Sequence, residues 1–319
     1  MKTILVTGAN RSGTTWVGKM LCCSNKILQV WEPFNYLMPP ESKIAGTNPL
    51  KEQYHYILNK ETAQIKNYLN RRIVSAAYMT NKPPQSNLSQ LYKALGAVNN
   101  LVELGIGNKQ VLFKDPIALL SAEWLASQYQ AKVIILIRHP AAYVNSIKRV
   151  NWDMSLECLL TQTEFMASLP HDLVAEISDR LKNQTGDGYN LEDAALSWKV
   201  FHRVIYQYQQ AHPDWIFVRH EDLCQDYLSG FEKLYSQLNL PWNQTVVERI
   251  KHYCDRPQES ELGSQIHRLS RNSRAASQAW KHSLTESESD RILEITKDVA
   301  DLFYDRHSWL RSKRSKSSD

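Results

Sequence analysis

The sequence contains no long hydrophobic run. None of its apolar stretches approaches the roughly 18 residues needed to cross a bilayer, so we predict no membrane span. The apolar run at residues 3–7 is too short for the core of a secretory signal, and no cleavage site follows it. These absences favour a cytoplasmic protein.

Cysteine is scarce, and no charge of one sign dominates. The chain has five cysteines, an odd number without metal-like spacing, which favours free thiols in a reducing compartment and predicts no metal site. The net charge is only +5, and no signature of a nucleic-acid-binding module is present, so we predict no nucleic-acid partner. The positive charge is better assigned to a small polyanionic ligand.

Short apolar runs rich in β-branched residues alternate with helical patterns. Strands are predicted at residues 3–7, 27–31, 111–113, 132–137 and 215–218. Helices are predicted at residues 14–23, 117–128, 141–149 and 191–211. Each strand run is brief and nearly continuous, as expected for parallel strands buried on both faces. The sequence therefore predicts an α/β fold, a parallel sheet with helices on both faces.

Two segments interrupt this alternation. Residues 39–109 are mixed and residues 152–190 are helical in pattern, and we predict that both are insertions that lie over the active site and carry specificity. No internal repeat or linker is visible, so residues 1–310 are predicted to form one domain. The basic tail at residues 311–319 is predicted to be a solvated terminus.

The segment GANRSGTTW at residues 8–16 follows the first strand and opens the first helix. Gly8 and Gly13 allow a tight turn in which successive N–H groups converge on an anion, and the helix N-terminus adds its dipole. Thr14 stands where P-loop kinases have a lysine, and the basic residue comes earlier, as Arg11. We interpret the segment as a P-loop that binds a phosphate without a metal.

Charged residues follow the other strand runs: Glu32, Lys114, Arg138 and Arg219. Ligands of parallel sheets bind beyond the carboxyl ends of the strands. We therefore expect this group to meet around one ligand. Arg219, in the segment RHEDL, is interpreted as mainly architectural, with the following carboxylates at a helix start.

Two of these segments together resemble the sulfotransferases that use 3'-phosphoadenosine-5'-phosphosulfate (PAPS), in the bacterial and carbohydrate-type branch. The segment at residues 11–16 is similar to the loop of that family that binds the 5'-phosphosulfate. The resemblance implies that Arg11 replaces the usual lysine and neutralises charge on the leaving oxygen. It implies that the donor is bound by Arg11, Ser12, Gly13, Thr14, Thr15 and Trp16, although Trp16 equally suits a packing role.

The second resemblance lies at Arg138-His139-Pro140, with Ser146 eight residues after the arginine. In the family, an arginine and a serine in these positions bind the 3'-phosphate, which implies that role for Arg138 and Ser146. His139 is interpreted as a turn residue. A weaker likeness near Trp280-Lys281 implies a further 3'-phosphate contact from the basic loop before it, with Arg274 as the first candidate.

The general base is assigned by resemblance. Carbohydrate-type relatives often have a glutamate after the second strand, so Glu32 is the candidate, with Asp115 as a fallback that also suits a helix N-cap. Glu32 equally suits a loop carboxylate or an ion-pair partner of Arg11 or Lys114. Lys114 is the candidate to orient the acceptor or to stabilise the transferring sulfuryl group.

The resemblance implies an enzyme that moves a sulfuryl group from PAPS to a hydroxyl of a carbohydrate, a glycolipid or a small molecule, with no metal required. A P-loop nucleotide or small-molecule kinase is one alternative. A nucleotide-binding protein without catalysis is another, in which Glu32 and Lys114 would be structural. The sequence leaves the acceptor and the oligomeric state open, a homodimer included.

Overall fold

A computed structural model describes residues 1–38, 43–57, 62–80, 89–154, 156–183, 188–255 and 277–310. Its strands are β1 (Lys2–Gly8), β2 (Ile27–Trp31), β3 (Gln110–Lys114), β4 (Lys132–Ile137) and β5 (Ile216–Arg219). They form a parallel sheet in the order β2-β3-β1-β4-β5. The predicted strands are confirmed to within one residue, and so is the α/β fold.

The helices lie between and after the strands. In chain order they are α1 (Thr14–Leu21), α2 (Thr62–Met79), α3 (Ser89–Gly105), α4 (Ala122–Tyr129), α5 (Pro140–Val150), α6 (Glu157–Leu160), α7 (Thr163–Ser168), α8 (His171–Lys182), α9 (Leu191–Ala211), α10 (His220–Gln225), α11 (Tyr227–Gln237), α12 (Gln244–Cys254), α13 (Trp280–Ser283) and α14 (Glu286–Ala300). Short 3-10 turns occupy Lys43–Ala45, Ile117–Ser121 and Arg306–Trp309.

Side-chain chemistry explains where several helices begin. The Asn190 side chain accepts hydrogen bonds from the backbone N–H groups of Glu192 and Asp193, which caps α9. Thr285 and Glu288 form a reciprocal capping box at the start of α14. The predicted helix at residues 117–128 is instead a 3-10 turn followed by α4.

The sheet is buried on both faces, which accounts for the continuous apolar runs. Alternate residues of one strand enter different apolar clusters: Ile134 and Leu136 pack with α1, α11 and α12, whereas Val133 and Ile135 pack with α9 and the insertions. The described parts of both predicted insertions are largely helical, comprising α2, α3 and α6–α8. Within the described ranges, every helix is either too short or too polar to cross a membrane.

Candidate functional site

A cavity of about 660 Å³ opens beyond the carboxyl ends of the strands. Predicted site residues that line it are Arg11, Gly13, Thr14, Thr15, Trp16, Glu32, Arg138 and Ser146. Ser12 and Lys114 are fully buried and lie behind this lining. Arg274 and the tail at residues 311–319 lie outside the described residues. Most of the predicted site residues therefore lie around one cavity, at the carboxyl ends of the strands where ligands of parallel sheets bind.

The P-loop is shaped by two glycines with positive φ. Gly8 has φ 147°, and a Cβ there would come within 2.5 Å of the Leu136 carbonyl oxygen. Gly13 has φ 103° and immediately precedes α1, and a Cβ there would collide with the His220 ring. The Ser12 hydroxyl is buried without a hydrogen-bond partner. The two glycines thus let the loop backbone lie close to β4 and α10. The Ser12 hydroxyl of the same loop has no hydrogen-bond partner in the fold.

Arg11 joins the two predicted halves of the site. Its backbone is left-handed, with φ 62°, and its Nε donates to Ser146 Oγ at 3.1 Å. Its carbonyl oxygen accepts a hydrogen bond from Arg138 Nη1, and its guanidinium lies 5.3 Å from the Trp152 ring centroid. The P-loop and the strand-end arginine are therefore parts of one site, because Arg11 contacts both Arg138 and the α5 serine.

Arg138 is held from behind through its backbone. Its carbonyl oxygen accepts from Trp198 Nε1 at 2.7 Å, and its N–H donates to His202 Nε2 at 3.4 Å. Its Nε is buried without a partner. Burial lowers the pKa of Arg138, and nearby Glu221 acts in the opposite direction. A guanidinium that is held through Nη1 by the Arg11 carbonyl oxygen and has an unsatisfied donor suits an anionic ligand.

His139 is a buried turn residue. Its Nδ1 accepts from the backbone N–H of Ala141, which caps α5 ahead of Pro140. Its ring stacks on Trp280, with centroids 4.9 Å apart and planes 11° apart. This contact ties the Trp280 region to the turn that carries Arg138. The stacking explains physically why a tryptophan stands at position 280, in the weaker likeness near Trp280-Lys281.

The buried imidazole predicts acid sensitivity of the fold. Burial, with Lys281 and Arg138 acting in the same direction, lowers the pKa of His139 to about 3, below the unfolded value of about 6.5. A depressed folded pKa stabilises the fold above the unfolded value, and this stabilisation is lost as the pH falls from about 6.5 toward 3.

Between pH 6.5 and 5 we expect the wild type to lose roughly 1–2 kcal/mol more unfolding free energy than His139→Asn, because asparagine can also cap α5 without titrating. Urea unfolding of both proteins across this pH range measures the difference. If the unfolding free energies of the two proteins changed equally with pH, the lowered pKa of His139 would be contradicted.

Glu32 and Lys114 form an ion pair at the ends of neighbouring strands. The register pairs Trp31 of β2 with Lys114 of β3, so the residue after Trp31 comes beside the lysine. Lys114 Nζ contacts Glu32 Oε1, donates to Thr15 Oγ1 at 3.3 Å and lies 3.5 Å from the Trp31 ring centroid. Burial lowers the pKa of Lys114, against the opposing effect of Glu32.

The backbone of Glu32 is fixed as well. Its φ is 38°, and its N–H donates to the Lys114 carbonyl oxygen at 2.9 Å. Its second carboxylate oxygen, Oε2, accepts from Asn35 Nδ2 at 3.2 Å. Glu32 lines the cavity, so this carboxylate is held at the wall by a buried cation and an amide.

Asp115 is completely buried and does not line the cavity. Its carboxylate oxygens accept from the N–H groups of Phe34, at 2.6 Å, and Ile117, at 2.9 Å. Burial and the charge of Glu32 raise the pKa of Asp115 to about 7, against these two hydrogen bonds. Asp115 precedes Pro116, the N-cap of the 3-10 turn at Ile117–Ser121, so it is not the predicted N-cap itself. Its carboxylate holds the two N–H groups from behind the cavity wall, which favours a structural role over the fallback base.

Arg219 is exposed and architectural. Its Nε and Nη2 each donate to a carboxylate oxygen of Asp222 at 2.9 Å, and its Nη1 donates to the Phe303 carbonyl oxygen at 3.2 Å. Trp16 lines the cavity and also packs edge-on against His220 and Phe231. The packing role of Trp16 is therefore observed, and its role in donor binding stays a prediction.

Sequence reasoning missed several residues that line the cavity. His220 lies against Gly13, Trp152 lies beside Arg11, and Asn35, Gln53 and Tyr54 lie on the side of Glu32. The segment RHEDL carried a usable signal for His220, because that residue follows a strand end. Gln53 and Tyr54 belong to the first insertion, where no pattern indicates which side chains face the sheet.

The chain matches the model of the sulfotransferase family over residues 3–244. No curated protein matches it. Among solved structures, the sulfotransferase domain of the Synechococcus PCC 7002 olefin synthase is 15% identical, with 95% of this chain and 94% of that chain covered and a TM-score of 0.47.

Two further solved structures match nearly the whole of this chain. The sulfotransferase domain from the curacin biosynthetic pathway is 15% identical, with 96% and 99% of the two chains covered and a TM-score of 0.46. Mouse sulfotransferase SULT7A1, complexed with PAP, is 11% identical, with 96% and 86% covered and a TM-score of 0.44.

Proposed function

Because this chain belongs to the sulfotransferase family, we propose that it transfers a sulfuryl group from PAPS to a hydroxyl of a carbohydrate, glycolipid or small-molecule acceptor. One observation supports this most directly. Arg11 of the P-loop is hydrogen-bonded both to Ser146 and to Arg138, so two anion-binding motifs share one cavity. PAPS carries two anionic groups, the 5'-phosphosulfate and the 3'-phosphate, and therefore suits such a pair of motifs.

The residues present fit the donor. The N-terminus of α1 offers backbone N–H groups and the hydroxyls of Thr14 and Thr15 to the phosphosulfate. Arg138, with its unpartnered Nε, and Ser146 would hold the 3'-phosphate. Any side chain on Gly13 would displace the loop from His220, so the glycine keeps this cradle open. When bound, PAPS supplies an activated sulfuryl group.

Glu32 is positioned to remove the proton of the acceptor hydroxyl. It lines the cavity, and its carboxylate is held on both oxygens, by Lys114 and by Asn35. Lys114 is fully buried and contacts Glu32 and Thr15, so we assign it as a positioning residue that acts through Glu32. We therefore do not assign Lys114 to direct contact with the transferring sulfuryl group. A positioned base contributes about 10²–10⁴-fold to the rate.

Arg11 is assigned to the charge that develops on the leaving phosphate. Its left-handed backbone points its carbonyl oxygen at Arg138, while its guanidinium lies between Ser146 and Trp152. A guanidinium can keep one donor on a neighbour and give others to a phosphate, because its five N–H groups form a planar fork. Electrostatic stabilisation of this kind is typically the largest contribution to group transfer.

The two alternatives make different demands on the same residues. A P-loop kinase would need a lysine at position 14, where Thr14 opens α1, and the family match disfavours it. A nucleotide-binding protein without catalysis would need no base at position 32. Loss of activity in Glu32→Gln, with nucleotide binding retained, separates this case from the enzyme.

Calorimetric titration of the whole chain tests the donor. We expect 3',5'-adenosine bisphosphate (PAP) to bind at least tenfold more tightly than 5'-AMP, because only PAP engages Arg138 and Ser146. ATP with Mg²⁺ serves as the comparison ligand. Tighter binding of ATP with Mg²⁺ than of PAP would contradict the sulfotransferase assignment and favour the P-loop kinase.

A further inference from the structure

The cavity also has a wall outside the two anion-binding motifs. Its wall comes from the turn after Glu32 and from the first insertion, at residues 51–54. Tyr54 is 6% exposed and lines the cavity, yet its hydroxyl is buried without a hydrogen-bond partner. A buried hydroxyl left unpaired is costly, and such groups in native proteins call for an explanation.

The backbone of Tyr54 has a strained conformation that the surrounding packing holds in place. Its φ is 55°, in the left-handed region that a tyrosine rarely adopts. Its carbonyl oxygen accepts from Gln162 Nε2 at 3.2 Å, and its ring packs 4.4 Å from that of Phe201. The fold therefore orders this side chain firmly while giving its hydroxyl no partner. Strain of this kind is concentrated at ligand sites.

A row of amides leads from Glu32 to the same wall. Asn35 donates to Glu32 and accepts from Gln53 Nε2 at 3.1 Å, while the other end of the Gln53 amide, Oε1, is buried without a partner. The cavity wall thus offers a carboxylate, an amide and a phenol in sequence. A ligand with several hydroxyl groups can satisfy all three, whereas a simple alcohol satisfies only the carboxylate.

The mouth on this side is apolar. Tyr36, Leu37 and Met38 line the cavity and are 40%, 68% and 40% exposed. Asn35 holds the turn that carries them, because its Oδ1 accepts from the Leu37 N–H at 3.2 Å. Adjacent exposed apolar side chains at the rim of a cavity are typical of a binding surface for an apolar group.

The charged residues that the structure describes on this side do not form a cationic surface. Glu32 is paired with Lys114, and the other charged residues described on this wall are one lysine and one acid, Lys51 and Glu52. The arginines that line the cavity, Arg11 and Arg138, contact each other on the P-loop side. Among the residues that the structure describes, this wall therefore has no excess of positive charge that would favour a polyanionic acceptor.

Resting on the proposed function, we propose that the acceptor is a neutral amphiphile with a polyhydroxylated head and an apolar body, as in a glycolipid. The head is bound by Tyr54 and Gln53 beside Glu32, and the body lies on Tyr36, Leu37 and Met38. Glu32 takes the proton of one head hydroxyl, whose oxygen forms a bond to sulfur as the sulfur–oxygen bond to the donor phosphate breaks. The bond pair stays on that phosphate, and the other head hydroxyls give the specificity.

The test uses three neutral probes with radiolabelled PAPS: n-octyl β-D-glucoside below its micelle concentration, glucose, and 1-octanol. Octyl glucoside is expected to be sulfated with a KM at least tenfold below that of glucose, and octanol with a kcat/KM at least tenfold below that of octyl glucoside. Saturation-transfer NMR on the protein saturated with PAP measures binding of the same probes.

Two variants assign the contacts. Tyr54→Phe is expected to raise the KM for octyl glucoside roughly 3–10-fold, as for loss of one hydrogen bond, with no loss of Tm because the hydroxyl has no protein partner. Leu37→Ser is expected to raise the KM for octyl glucoside toward that of glucose.

Tyr189→Phe is the matched control, since its hydroxyl is also buried without a partner but its residue does not line the cavity. The proposal is overturned if octanol or glucose equals octyl glucoside, if Tyr54→Phe behaves like Tyr189→Phe, or if octyl glucoside neither binds nor reacts. If PAP itself does not bind, the proposed function fails instead.

Discussion

Replacing Glu32 by glutamine should lower kcat for sulfuryl transfer by roughly 10²–10⁴-fold and leave PAP affinity within about twofold of the wild type. The amide keeps the shape of the carboxylate and can still contact Asn35, but it cannot take a proton from the acceptor. It also leaves the buried Lys114 without its anion. The measurement pairs single-turnover transfer from radiolabelled PAPS with calorimetric titration of PAP.

Asp115→Asn is the matched control for this experiment. Asp115 is the fallback base, but it is buried behind the cavity wall, with hydrogen bonds from Phe34 and Ile117. We expect Asp115→Asn to lower the free energy of unfolding, because an amide cannot accept both N–H groups as well as a carboxylate does. A larger loss of kcat in Asp115→Asn than in Glu32→Gln, at equal folded fraction, would make Asp115 the base.

Replacing Arg138 by alanine should raise the Kd for PAP about 100-fold, near 3 kcal/mol, while the Kd for 5'-AMP changes little. Hydrogen bonds with Trp198 and His202 hold the Arg138 backbone. Its guanidinium donates through Nη1 to the Arg11 carbonyl oxygen, and its Nε has no partner in the fold. Its role in binding should therefore be specific to the 3'-phosphate. Titration of both nucleotides into both proteins gives the discrimination ratio.

Arg219→Ala is the control for a strand-end arginine outside the site. Arg219 is exposed and paired with Asp222, and an exposed pair contributes about 0–1 kcal/mol to stability, so PAP affinity should stay within twofold. Arg138→Lys should fall between wild type and alanine, because lysine keeps the charge but loses the fork. Equal losses for PAP and 5'-AMP in Arg138→Ala would contradict a role in binding the 3'-phosphate.

The sequence by itself determined the sheet and the strand-end residues that meet at one edge of it. Strands buried on both faces appear as short apolar runs, and the carboxyl ends of parallel strands share one edge. The order of strands and charged residues along the chain is therefore enough to place residues 8–16, Glu32 and Arg138 at that edge. The glycines at positions 8 and 13 indicated the loop because only glycine adopts such φ values without strain.

Only the tertiary structure decided how these residues pair and what faces them. The pairing of Trp31 with Lys114 depends on strand order and register, which set Glu32 against the buried lysine. The stack of His139 on Trp280 joins segments about 140 residues apart in the sequence.

Tyr54 and Gln53 sit in an insertion whose composition is mixed, at positions where the backbone is neither helix nor strand. Their place on the cavity wall follows from long-range packing and from a strained turn. Periodicity cannot report such a position, because the contacts that hold it are distant in the chain.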